Sequence, residues 1–178
     1  MIALGMRIVW LLALAGTAGA VADIKVTPVV TGGHVVTTFA APDAYTDDSR
    51  EVVKSGVPLT FTYMLELRRP SSLWWDRTVG SATVAAKVKF DSLTGEYQVT
   101  KEQDGHVVSS KTTVKEEEMR GWATSFEAVP IVPDEALEAN ADYYVRVRLD
   151  ARPHLSMSLW PFFGRSDAIG RADFTFIR

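Results

Sequence analysis

From Leu59 to Arg68 the side chains alternate without a break: Leu59, Phe61, Tyr63, Leu65 and Leu67 are apolar, and Thr60, Thr62, Met64, Glu66 and Arg68 stand between them. A strand points successive side chains to opposite faces, so this period of two describes a strand with one dry and one wet face. An amphipathic helix is excluded, because its apolar residues would recur about every three to four positions.

The same period returns along the chain. Ile24, Val26, Pro28 and Val30 lead to Thr31-Gly32-Gly33, and β-branched residues resume from His34 to Ala40, which is the pattern of a hairpin. Pro28 lacks an amide donor and assigns the first arm to a sheet edge. Val84, Ala86, Val88 and Phe90 alternate with Lys87 and Lys89, and the turn Asp91 to Gly95 follows. Tyr97 and Val99 then begin a strand that Asp104-Gly105 folds back into His106–Ser110. Tyr143, Val145, Val147 and Leu149 alternate with Arg146, Arg148 and Asp150, and Leu155, Met157 and Leu159 and then Phe174 and Phe176 predict two closing strands.

Two short helices interrupt the strands. Asp47-Asp48-Ser49 sets acidic residues ahead of Arg50 to Lys54, and Gly56 supplies a stop. Thr113-Val114-Lys115-Glu116 has the spacing of a capping box and predicts a helix from Val114 to near Ser125, with Val114, Met119, Trp122, Ala123 and Phe126 on its packed side. Val129 to Pro133 carries two prolines and reads as an extended linker. About eight strands with helices only in connections predict a mainly β fold, an antiparallel immunoglobulin-like β-sandwich. A closed barrel is the competing topology.

The N-terminus bears on the compartment. Arg7, an apolar run from Ile8 to Ala15 and the small residues Gly16 to Ala22 follow the order of an export signal, with Ala20-Val21-Ala22 as the cleavage box. Residues 1–22 are therefore expected to be a signal peptide, and 23–178 a single domain in the periplasm or otherwise outside the cytoplasm. Retention of the segment as an anchor is the alternative. The mature chain would hold 18 basic against 22 acidic side chains, a net charge of −4 that argues against nucleic acid as a partner. There is no cysteine, which excludes disulfides and thiolate chemistry.

Ser55-Gly56-Val57-Pro58-Leu59-Thr60-Phe61-Thr62-Tyr63, Glu66-Leu67-Arg68-Arg69, Trp74-Trp75-Asp76-Arg77, Phe90 to Val99 and Tyr143 to Asp150, taken in that order, resemble domain-of-unknown-function family 4390. That resemblance covers most of the mature chain. It implies a bacterial exported protein of unassigned activity in the cell envelope, from genes that often neighbour those of two-component sensor kinases. It carries over no catalytic residue. The stretch Ile169 to Phe174 departs from the pattern in lacking a tryptophan.

No spacing in the chain is one that a known chemistry demands. His34, His106 and His154 are scattered, Asp43, Asp47 and Asp48 read as acids at a helix start, and Glu116-Glu117-Glu118 reads as a solvated helix face. No G-x-S-x-G elbow or phosphate-cradling glycine loop occurs. No cofactor and no metal are expected.

Aromatic and basic residues are the better candidates. Arg68, Arg69, Trp74, Trp75 and Arg77 surround one loop, where guanidinium groups beside indoles make a recognition surface, with Trp74 in the core and Arg69 stacked on its neighbour as the structural alternative. Trp160, Phe162 and Phe163 crowd a Pro–Gly turn, which either folds under the sandwich or meets a membrane interface or partner groove. The expected function is a non-enzymatic binding or adaptor module that engages an envelope protein, such as the sensory part of a kinase, through these loops or a sheet edge. An outer-membrane or membrane-surface-associated β protein is the second expectation, and a carboxylate-dependent hydrolase the third.

Overall fold

The computed structural model describes residues 23–72, 75–153 and 168–177. The signal segment, Trp74, His154, the strand expected around Leu155–Leu159 and the turn with Trp160, Phe162 and Phe163 all lie outside the described residues.

Among the described residues nine strands form two antiparallel sheets. The smaller sheet has the order β1-β2-β7, made from Lys25–Thr31, His34–Ala40 and Ser125–Pro133. In the larger sheet the order is β6-β5-β4-β3-β8-β9: β3 is Leu59–Arg69, β4 Arg77–Asp91, β5 Glu96–Gln103, β6 His106–Thr113, β8 Ala141–Pro153 and β9 Ile169–Phe176. Helices α1, Asp47–Lys54, and α2, Glu116–Thr124, sit in the connections β2–β3 and β6–β7. This is the antiparallel sandwich that the alternation implies.

The alternation of β3 is met residue by residue: Leu59, Phe61, Tyr63, Leu65 and Leu67 are buried, while the intervening side chains reach solvent to varying degrees. At the centre, Phe39 of β2 meets Tyr63 of β3 at 5.0 Å and Phe126 of β7 at 5.3 Å between ring centroids, which joins both sheets in one aromatic cluster. The Tyr63 hydroxyl donates to the Ala123 carbonyl at 3.4 Å, so the cluster also holds α2. Burial pushes the Tyr63 phenol up from its ordinary pKa.

Glycines at two sheet crossings let the layers close. A Cβ on Gly80 of β4 would stand 1.9 Å from a methyl of Val132, and one on Gly170 of β9 would stand 2.4 Å from the Ile24 carbonyl oxygen. Gly80 lies where β7 passes over β4 and Gly170 where the chain at the start of β1 passes over β9, and an added side chain would force either crossing apart.

Three local expectations are corrected. Val129–Pro133 is not a linker but the end of β7, paired to β2 from Phe39↔Phe126 to His34↔Pro133. Its prolines are accepted because β7 is the outer strand of its sheet and one row of its amides needs no partner. The helix starts at Glu116 and not at Val114, because β6 continues to Thr113, which pairs with Tyr97. Thr113 accepts from the Lys115 amide at 3.1 Å and donates to Glu118 at 2.9 Å instead of meeting Glu116, so the expected box does not form.

Glu116 is the third correction. It is not a solvated charge: its side chain is 26 % exposed, and it accepts from Arg50 Nε at 2.6 Å, Lys54 Nζ at 3.2 Å and the Tyr97 hydroxyl at 3.3 Å. Burial pushes its pKa up, but the hydrogen bonds from Arg50 and Lys54 outweigh it and leave the carboxyl below the usual range. One carboxylate thereby ties α1 to α2.

Candidate recognition surfaces

The loop that the sequence singled out is held at both ends. Asp76, just before β4, accepts from the Tyr144 hydroxyl at 2.7 Å and from the Ser71 amide at 3.1 Å, while its carbonyl receives Arg68 Nη2 at 2.8 Å. The Tyr144 hydrogen bond and then the Ser71 amide hold the Asp76 carboxyl below the ordinary aspartate range. A pinned loop costs less order on binding than a free one. On it Trp75 is 89 % exposed, although an indole normally gains by burying its area.

Around Trp75 the basic side chains are partly engaged. Arg69 donates to Glu138, and Arg77 lies 3.9 Å from the same carboxylate. Arg69 is thus an ion-pair partner, while Trp74 lies outside the described residues. Arg68 Nε is buried with no partner among the described residues.

On the outer face of the large sheet the register sets Arg68 beside Tyr144, Glu66 beside Arg146, and Arg146 beside Arg171. Arg146 donates to Glu66, and the Arg171 guanidinium, paired with Asp173, lies 3.8 Å from the centre of the Tyr144 ring. Of the sequence-predicted residues, Arg68, Arg69, Trp75 and Arg77 therefore gather at one end of β3 and β4.

Residues missed at the sequence level complete this surface. Tyr144 had a signal: it is an aromatic residue in the polar phase of an alternating strand, between Tyr143 and Val145 and in step with Arg146 and Arg148. Asp76 stood between two quoted residues. Glu138 and Arg171 come from distant segments, and nothing in their local sequence relates them to the loop.

A second feature lies at the other side of the sandwich. Three strands cannot cover six, so α2 packs over β4, β5 and β6. Between these strands and the start of β7 runs a groove of about 290 Å³, lined by Lys101, Gln103, Val108, Ser109, Trp122 and Phe126 among others. Lys101 donates to the Ser125 carbonyl at 2.7 Å, and its ammonium stands 5.1 Å from the Trp122 ring and 4.5 Å from that of Phe126. Desolvation lowers the Lys101 pKa, and the charge of Glu127 only partly offsets this. The sequence pattern sets Trp122 on the packed side of a helix, and Lys101 falls in phase with the buried Tyr97 and Val99 of β5.

Among the described residues no group of three or more His, Asp or Glu is placed to hold a metal, and no helix is long and apolar enough to cross a membrane. The second statement says nothing of strands. His34 and His106 are exposed.

A family model described as a domain of unknown function, DUF4390, matches residues 19–160. No curated protein matches the chain.

Proposed function

The chain belongs to the DUF4390 family, and from that premise we propose that it is an exported, non-enzymatic binding module of the bacterial cell envelope, which engages another envelope protein through the Trp75 loop. The sensory part of a two-component kinase is the partner class that the family resemblance favours. One observation carries the reading: a tryptophan 89 % exposed on a loop that Asp76, Tyr144 and Ser71 fasten to the sheet, with Arg69 and Arg77 beside it. Tryptophan and arginine dominate the energetics of protein interfaces, and a fixed loop presents them at small entropic cost. Export is supported by the Arg7, apolar and Ala20-Val21-Ala22 order of the N-terminus.

The test is crosslinking in intact envelopes followed by mass spectrometry, with Trp75→Ser beside the unchanged protein. A defined envelope partner lost in the variant is the expected outcome. The same partner recovered equally by both would refute the role of the loop. N-terminal sequencing of the periplasmic extract should begin at Asp23; an intact Met1 in the cytosol would refute export.

The same exposed indole beside arginines also suits a membrane surface, the second reading. Cosedimentation with vesicles containing anionic lipid, abolished in Trp75→Ser, would select it over the protein partner.

A further inference from the structure

Strand β6 forms one border of the large sheet, and among the described residues none pairs with its outer side. A border strand turns the N–H and C=O groups of alternate residues away from its neighbour, where they can template another strand. The register of β6 against β5 shifts between Lys101 and Glu102, but from Ser109 to Thr113 it runs without interruption. Next to that regular stretch Val107 and Val108 are 63 % and 58 % exposed.

The inner face of this border is charged in an unusual way. Ser109 pairs with Lys101 and Lys111 with Val99, so both lysines share that face. Both ammonium groups approach the Trp122 ring, at 5.1 Å from its centre for Lys101 and 5.6 Å for Lys111. Neither ammonium has a carboxylate in ion-pair contact among the described residues. Glu127 acts on Lys101, and Lys111 on Glu118, from beyond that range. Of its three N–H donors, Lys101 spends one on the Ser125 carbonyl.

We propose that the β6 edge and the Lys101–Lys111 pair form a binding site for an extended peptide segment, which adds a strand to the sheet and sets one acidic side chain within reach of the two ammonium groups. Strand addition supplies main-chain hydrogen bonds, and a pocket for an alternate side chain supplies selectivity. A side chain opposite Lys111 would have its Cβ about 5 Å from that of the lysine, and Lys101 lies two strand spacings from the new strand, about 10 Å, within reach of two long side chains. Glu102 and Glu127 also line the groove. They restrict the occupant to a segment with a single carboxylate among uncharged residues, since a polyacidic segment would meet repulsion.

This site rests on the binding-module reading but not on the Trp75 loop. The experiment is selection of a random heptapeptide library displayed on phage against the full mature chain. Selected peptides are then synthesised and titrated by amide NMR. The expected peptides carry one Glu or Asp among β-formers, shift the amides of Ser109 to Thr113, and bind about tenfold more weakly after Lys101→Gln. Lys111→Gln, at an exposed position where folding is not at risk, should weaken the same peptides. Peptides without an acidic residue, binding elsewhere, affinity indifferent to both lysine variants, or no peptides at all would overturn the site. Trp75→Ser should bind the peptides as well as the unchanged chain does, so loss of the envelope partner and loss of the peptide are separate outcomes.

Discussion

Replacing Gly170 by Ala tests the closure of the sandwich directly. The new methyl would stand 2.4 Å from the Ile24 carbonyl oxygen and 2.7 Å from both Ile24 Cβ and a methyl of Val26. Ordinary contact begins near 3.4 Å, so the start of β1 must withdraw by about 1 Å from β9. Two of the three obstacles belong to backbone or a Cβ and cannot rotate aside. Crowding of this kind costs about 1–3 kcal/mol, against which the stiffer unfolded chain returns about 0.4–1 kcal/mol. A net loss of about 1–2 kcal/mol lowers Tm by about 2–8 °C for a domain of this size.

The control is Gly121→Ala. Gly121 is an exposed glycine inside α2, and its added methyl meets nothing within 4 Å. It should gain about 0.5–1 kcal/mol, because alanine loses less entropy in a helix. Thermal and urea unfolding followed by circular dichroism would report both. If Gly170→Ala matches the unchanged protein while Gly121→Ala rises, the close crossing of β1 over β9 is wrong.

Two further outcomes follow from the charges. Tyr144→Phe removes the larger of the two hydrogen bonds that lower the Asp76 pKa, so that pKa should move up toward the ordinary aspartate value; carboxyl NMR reads it, and an unmoved titration would refute the fastening of the loop. The folded Glu116 pKa lies below the ordinary value of 4.5, so the stability it contributes is full above that value and lost as pH falls through the folded pKa. Unchanged protein should exceed Glu116→Gln in urea midpoint at pH 6, and the gap should shrink toward pH 3. A gap that persists at pH 3 would contradict the tie between the helices.

Much of the architecture was legible because burial in a strand repeats every second residue, as in β3. The edge position of Pro28 was legible too, since a missing amide is tolerable only there. The same rule, applied to Pro130 and Pro133, would have identified β7 as an edge strand; two prolines close together read instead as a break. What local pattern could not carry was pairing across distance. Arg50 and Glu116 stand 66 residues apart, and Arg69 and Glu138 stand 69 apart, so neither helix nor loop announces its partner. Lys101 falls in phase with the apolar Tyr97 and Val99, but nothing in its local sequence relates it to Trp122, which α2 brings against it.

A floor twice as wide as its roof leaves something to be finished by a separate piece. Here that piece is a single helix of nine residues, Glu116–Thr124, laid over the uncovered strands. The aromatic centre of Phe39, Tyr63 and Phe126 lies beneath the roof proper, so residues on the open flank of the helix can change without disturbing it. Descendants of one such frame could acquire different tastes by rewriting one turn or two of that cover, while the rest of the building stands unaltered.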